Sequence, residues 1–369
     1  MLQDYFVGLT DPRQQGKVKH NLLEIVVMTI CAVIAGCDVW EDIMDFCRVK
    51  ENWFKESLHM ELANGLPSHD TMQRVWGMIE PKEFEKCFYA WVESVCNVPK
   101  GEIISIDGKT LRRSGSEGKS PIHMVSAWAN QNQLVLGQLA TEEKSNEITA
   151  VPALLEMLSI DGCIVTADAM SCQKEITKKI AEKGADYAIG LKDNQLNLRR
   201  DASDYFTDAL ADPRNYPEVQ FFETQEKGHG RIECRRYYLT NELDWLSGRE
   251  DWGNLLGLGM VRSKVEKNGI ISEETRYYIT SLVDVETFSR AVRAHWGVET
   301  SLHWCLDMTF HEDYSRIRKD HSAENMAVVR HIALDILKHY PEKISLARKR
   351  RRCSYDDAFL AKVLLSVHA

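Results

Sequence analysis

Two short apolar runs in this chain end in an acid, and that pairing limits what it can fold into. In IISIDGKTLRRSG (103–115), Ile103, Ile104 and Ile106 read as a short buried strand with Asp107 at its tip. Gly108 and the cations Lys109, Arg112 and Arg113 follow. In IVTADAM (164–170) a second apolar strand ends at Asp168. A carboxylate at the tip of a buried strand is costly unless something pairs with it, so Asp107 requires a cation or a metal ion. If both strands lie centrally in one sheet, the two acids share an edge and raise each other's pKa unless a cation stands between them. An oxygen-rich pair of this kind suits Mg²⁺, which keeps waters and substrate phosphates as its other ligands.

The surrounding sequence supplies such a sheet. Residues 1–98 read as helices. HNLLEIVVMTICAVIAG is apolar enough to be buried, Ser68 or Asp70 offers an N-cap, and Pro81 sits at a first-turn position. From 99 to 195 the pattern becomes strand-rich. EIISIDGKTLR, IHMVSAWAN and QLVLGQLAT are followed by a helix, NEITAVPALLEMLSI, with an interruption expected at Pro152. Strand, helix and strand then follow in GCIVTADAM, CQKEITKKIAEKGA and DYAIGLK, which predicts a mixed sheet flanked by helices. Residues 196–280 read as a β-rich insertion with turns at KGHG and KNG. Helical sequence resumes over 281–345, and a basic segment, LARKRRRC, opens 346–369.

Composition narrows the function classes. The 369 residues suggest two or three domains, and no apolar run is long enough to span a bilayer. The first residues carry no secretory pattern, and the ten cysteines include no C-x-x-C pair, which argues for reduced thiols in the cytoplasm. The net charge of −9 rules out a global positive field as the means of recruiting nucleic acid, so contacts must come from local basic patches. Such patches occur at 109–119, 346–353 and, more weakly, 13–20.

A third set of ionisable residues lies in RAHWGVETSLHWCLDMTF. His295, Glu299, His303 and Asp307 recur at intervals of four and share one drifting helical face. From spacing alone this is equally a half-exposed amphipathic helix with paired charges. A zinc site at His303, Asp307 and His311 lacks the further ligands a tetrahedral centre requires.

A strand-end Asp, a second strand-end Asp and a helical Glu beyond an insertion form an ordered set that resembles the DDE transposases of bacterial insertion sequences. The resemblance is greatest to the H-repeat-associated type. It is carried by IDGKTLRRS (106–114), TADAMSCQKEITKKIAEKGADYAIGLKDNQ (166–195), HGRIECRRYY (229–238), RYYITSL (276–282) and RAHWGVETSLHWCLDMTFHED (293–313), which together span most of the chain. It implies an α/β fold with an RNase H-like mixed sheet and flanking helices, interrupted by the β-rich insertion and preceded by an all-helical N-terminal domain that engages DNA. It also implies that Asp107, Asp168 and Glu299 are the catalytic, metal-binding triad for two Mg²⁺ ions, with Mn²⁺ able to substitute. One metal would activate a water or DNA 3′-hydroxyl and the other would stabilise the leaving oxygen.

The implied partners are double-stranded DNA, at the terminal inverted repeats of the element and at the target, with the protein acting as a homodimer on DNA. The expected function is metal-dependent strand cleavage and transfer; a nuclease on the same core and an inactive DNA-binding relic are the alternatives. The family's Tyr, Arg, Glu, Lys signature around the third acid is altered here, where Val292, His295, Glu299 and Leu306 occupy those places. His295 then stands in as a phosphate contact, with Arg293 or His303 supplying the missing charge. Asp307 and Glu312 remain rivals to Glu299. Further DNA contacts are expected at Lys109, Arg112, Arg113, Lys192, Asn194, Arg350 and Arg351. Arg231, Arg235 and Arg236 either touch phosphates or solvate an edge strand, and Trp245 and Trp252 either stack on a base or pack internally.

Overall fold

In the computed structural model, which describes residues 2–115, 118, 120–141, 146–228 and 230–366, nine strands make one sheet of order β3-β2-β1-β4-β5-β9-β8-β7-β6. Ser116, Glu117 and Lys119 of the first basic patch, and His229 of the KGHG turn, lie outside the described residues. Three antiparallel strands come first, β1 (Ile103–Thr110), β2 (His123–Ala129) and β3 (Leu134–Thr141). Helix α6 (Glu147–Met157) then crosses over to β4 (Ile164–Ala167), which pairs parallel with β1. Helix α7 (Lys174–Glu182) crosses to β5 (Asp186–Leu191), parallel to β4. Every residue of β2 and of β4 is buried, as expected of strands covered on both faces.

Two expectations are corrected here. Helix α6 runs through Pro152 instead of breaking there. The proline removes one backbone bond, and burial of Val151, Leu154 and Leu155 offsets that loss. Residues 196–280 open with a 16-residue helix, α8 (Leu196–Ala211), before the β signals begin. The four strands that follow, β6 (Gln220–Gly228), β7 (Arg231–Thr240), β8 (Gly257–Lys267) and β9 (Ile270–Thr280), extend the same sheet, because β9 pairs antiparallel with β5. In β7, β8 and β9 the inner ends are buried and the outer ends exposed, as in β8, where Gly257–Val261 are covered while Glu266 and Lys267 meet solvent; β6, at the edge, has no buried residue.

Five helices precede the sheet: α1 (Leu22–Ile34), α2 (Trp40–Val49), α3 (Glu51–Ser57), α4 (His69–Met78) and α5 (Pro81–Val95). Asn21 caps α1 by accepting from Leu23 N, and Ser68 caps α4 by accepting from Thr71 N. All residues from Ile25 to Ile34 are buried. The one hydroxyl among them, Thr29, donates to Ile25 O at 2.8 Å and accepts from Trp76 Nε1 at 2.9 Å. This layer packs against α11 (Ser322–His339), where Asn325 Nδ2 donates to Trp76 O and Ile79 O. Along the chain, α9 (Val285–Gly297), a π-helical segment Val298–His303 and α10 (Trp304–Met308) lie between β9 and α11, which itself packs on β3. Among the described residues, no helix is long and apolar enough to cross a membrane.

The basic segment folds into α12 (Leu346–Tyr355) and α13 (Asp357–Leu365) and turns part of its charge inward. Lys349 Nζ donates to Leu337 O and Tyr340 O, carbonyls in the last turn of α11 and at its C-cap. Arg350, expected at a DNA surface, is 4% exposed. Its guanidinium bonds Asp38 Oδ1 at 2.6 Å, Val33 O at 2.8 Å and Thr309 O, and lies over the Phe310 ring. Two stretches far apart in the chain, 33–38 and 309–310, thus converge on one side chain, which turns it away from any DNA surface. Arg352 pairs with Glu342 and Asp356, and Arg351 is exposed.

Breaking a buried ion pair from one side leaves an uncompensated charge, so Arg350→Met should lower unfolding stability by about 3 kcal/mol. Arg351→Ala should stay within about 0.5 kcal/mol of wild type. Urea unfolding of the two variants checks this; equal, small losses would contradict the buried placement of Arg350.

Candidate active site

The parallel register of β1 and β4 sets Ile106 opposite Ala167. The next residue on each chain is an acid, so Asp107 and Asp168 stand side by side at the same end of two central strands. Asp107 Oδ1 accepts from Gly108 N at 2.9 Å, and Asp168 Oδ1 accepts from Met170 N at 2.9 Å, capping a short 3₁₀ turn over Ala169–Ser171. Strand β5 approaches this turn closely at Gly190, where a Cβ would lie 3.2 Å from Ala169 N. Glu299 arrives from the π-helical segment, a form of helix concentrated at functional sites. Burial raises the Asp107 carboxyl to about 7, the Gly108 N–H opposes that rise, and the negative charges of Asp168, Glu299 and Glu147 reinforce it.

The helical run meets β1 residue by residue. Ser105, Asp107 and Lys109 alternate onto one face of the strand. His295 Nδ1 is 3.1 Å from Thr166 Oγ1, which is 3.0 Å from Ser105 Oγ. His303 Nδ1 is 3.6 Å from Asp107 Oδ2, and Asp307 Oδ1 is 2.8 Å from Lys109 Nζ. The four-residue spacing is therefore the face that lies on β1, not a solvated stripe. Burial lowers both His295 and His303 to about 4, so each is neutral at neutral pH and supplies no charge for a phosphate.

Lys109 also departs from the sequence expectation. Its side chain is 11% exposed, and its ammonium holds Glu312 Oε2 at 3.0 Å and Asp313 Oδ1 at 3.2 Å in addition to Asp307. Burial works to discharge it, but Glu312 and Asp307 outweigh burial and keep it protonated. Burial likewise works against the ionised Glu312, yet Lys109 and Arg330 lower its pKa. Of the two rivals to Glu299, Glu312 is held ionised by Lys109 and Arg330, and Asp307 pairs with Lys109 although burial still raises its carboxyl, whereas Glu299 is exposed and adds its charge to Asp107.

Comparisons with known proteins place the whole chain. The model of the transposase DDE domain matches residues 99–336, and that of the DDE_Tnp_1-associated region matches residues 3–92. "Putative transposase YncI" of Escherichia coli O157:H7 is 41% identical over 99% of this chain and 94% of its own length. "H repeat-associated putative transposase YhhI" of Escherichia coli K12 is 40% identical over 98% of this chain and 97% of its own. The chain belongs to the DDE transposase family. Its function is accordingly DNA transposition, and its partner is DNA. Among solved structures, the piggyBac transposase synaptic complex with hairpin DNA aligns over 98% of this chain and 79% of that one, at 10% identity and a TM-score of 0.45.

The remaining expected contacts of this transposase are distributed unevenly. Arg112 and Arg113 are exposed beside the acids' strand, Arg112 at 3.1 Å from Asp313 and Arg113 over the Tyr314 ring. Lys192 is exposed where β5 ends, and Asn194 Nδ2 donates to Ala169 O, steadying the turn after Asp168. Arg293 makes a two-pronged bond to Glu226. Arg235 pairs with Glu233 and Arg236 with Glu223, so the hairpin arginines carry carboxylate partners. Trp245 stacks on Tyr205 and Trp252 is buried. His303, Asp307 and His311 diverge, the last reaching Asp38, so the zinc reading fails. Among the described residues no three His, Cys, Asp or Glu side chains are gathered tightly enough to hold a metal ion.

Two residues near Asp107 escape sequence reasoning. His123 opens β2 and Glu147 opens α6; both are buried, His123 Nε2 bonds Glu147 Oε1, and Thr110 Oγ1 lies 2.9 Å from His123 Nδ1. They fill the space that a side chain at Gly108 would need, since a Cβ there would sit 2.2 Å from His123 Nε2. An acid in the first turn of a helix looks ordinary in sequence.

With a folded pKa of about 7 against about 3.9 unfolded, Asp107 contributes stability that is full below about pH 4 and lost as pH rises through 7. Asp107→Asn removes that loss. In EDTA its Tm should exceed that of wild type above pH 7, with the gap closing on acidification to pH 4. A gap that is constant with pH would contradict the raised carboxyl.

Proposed function

We propose that the chain is a catalytically active transposase in which Asp107, Asp168 and Glu299 bind two Mg²⁺ ions, with Mn²⁺ able to replace them. The observation that carries this reading is the charge partition at the sheet edge: burial and the charges of Asp168 and Glu299 raise the Asp107 carboxyl, while Asp307 and Glu312 each pair with Lys109. Carboxylate oxygens are the hard donors Mg²⁺ prefers. When bound, the ions supply positive charge to the reacting phosphate and activate the attacking hydroxyl. The order β3-β2-β1-β4-β5, with β1 and β4 parallel, supports an RNase H-like core.

The chain's own groups orient the acids. Gly108 N–H and Met170 N–H each hold one carboxylate oxygen of Asp107 and Asp168, leaving the other for a ligand. Neutral His303 lies against Asp107 Oδ2 without competing as a cation. Arg112, Arg113, Lys192 and Arg351, exposed, are the cations we assign to DNA phosphate, a local patchwork that suits a chain of net charge −9. Terminal inverted repeats and target DNA are the proposed substrates, the helical residues 1–98 the repeat-binding part, a homodimer the working form on DNA, and the cytoplasm the location.

Purified protein incubated with Mn²⁺ and duplex DNA from the flanks of its own gene should cut at the element end, read on a denaturing gel. Asp107→Asn, Asp168→Asn and Glu299→Gln should each lose more than the about 100-fold that outer-shell residues cost, while keeping DNA affinity. Cleavage retained by Glu299→Gln but lost by Asp307→Asn would move the third acid.

A further inference from the structure

We propose that Lys109 is a positioning residue, tying the strand that carries Asp107 to the helix that carries Glu299 and so setting the separation of those two acids. The inference rests on the reading that the acids bind metal.

Lys109 lies two residues beyond Asp107 on the same face of β1, and Asp307 lies eight residues beyond Glu299 on one continuous helical run. Their 2.8 Å contact therefore joins the two acid-bearing elements just past the site. Glu312 and Asp313, in the turn that follows, close on the same ammonium at 3.0 and 3.2 Å. That turn is held in its own right: Arg330 of α11 reaches Glu312 at 3.5 Å and Ser315 Oγ at 2.9 Å, and Arg112 meets Asp313 at 3.1 Å. The helix cannot slide along β1 without breaking the Lys109–Asp307 ion pair and straining the charge-assisted bonds of Lys109 to Glu312 and Asp313 in the turn that follows.

The π-helical segment makes such a clamp necessary. Its wide turn lies between Gly297 and Trp304, and a wide turn is one of the places where a helix kinks. Glu299 sits within it, so its height over β1 depends on what is fastened on either side. His295 on Thr166 fastens one side and Asp307 on Lys109 the other. Burial argues against a DNA role for the ammonium. Lys109 is 11% exposed and Glu312 2%, which leaves no open face for a backbone phosphate.

The test measures metal and DNA separately. Mn²⁺ binding by EPR, without DNA, should weaken about tenfold or more in Lys109→Met and recover largely in Lys109→Arg. DNA affinity and its salt slope should be those of wild type. Unchanged Mn²⁺ affinity with a salt slope reduced by about 1 would overturn the proposal and make Lys109 a phosphate contact. If Lys109→Met does not fold, as judged by circular dichroism, Asp313→Asn carries the test; it removes one carboxylate from the clamp and should weaken Mn²⁺ binding measured without DNA. Unchanged Mn²⁺ affinity in Asp313→Asn overturns the positioning role. Wild type that binds no Mn²⁺ overturns the metal reading itself, an outcome distinct from any difference between variants.

Discussion

Everything at the candidate site follows from one alignment: β1 and β4 run parallel with Ile106 beside Ala167. Because β4 ends at Ala167 while β1 runs on past Asp107 to Thr110, the chain delivers an acid from each to the same level, and the buried residues that precede both acids keep that level fixed. The alignment is unfavourable in isolation. Asp107 is desolvated and faces like charges, which is why its carboxyl titrates near 7. Retaining two acids in such a place makes sense for a site built to receive positive charge.

The second organising feature is the division of the neighbouring acids into two groups. Asp307, Glu312 and Asp313 surround Lys109, and Arg330 and Arg112 complete that cluster. Asp107, Asp168 and Glu299 form the other group. The division also places opposite charges two residues apart on β1, so one short strand both presents an acid to the site and anchors the helix opposite. The neutral histidines His295 and His303 fill the space between strand and helix without disturbing either balance.

Asp107 and Asp168 were legible in the sequence because an acid closing an apolar run is a local signal with a definite physical cost. The sheet around them was legible for the same reason, since short β-favouring runs alternate there with helical sequence. Glu299 was not legible from spacing, because the four-residue pattern also fits a paired amphipathic face; only the family resemblance singled it out, and the contacts of His295, His303 and Asp307 show that its face of the helix lies on the sheet. Two of the cations were misread. Lys109 and Arg350 look available in sequence, but their partners come from about 200 and 300 residues away, and nothing local announces Glu312 to Lys109 or Asp38 to Arg350. The pair of His123 and Glu147 was missed for a related reason, because each residue alone has an ordinary place at the start of an element. What failed was the assumption that a charge run is a surface; α12 turns its Lys349 and Arg350 into the core and only part of its charge outward.

The central claim is that Asp107, Asp168 and Glu299, and not the acids around Lys109, receive divalent cations. Crystals of the full chain soaked in Mn²⁺ and measured at the manganese absorption edge test it directly. The account predicts anomalous density bounded by Asp107 and Asp168, with Glu299 within coordination distance. Density seated instead among Asp307, Glu312 and Asp313 would contradict it.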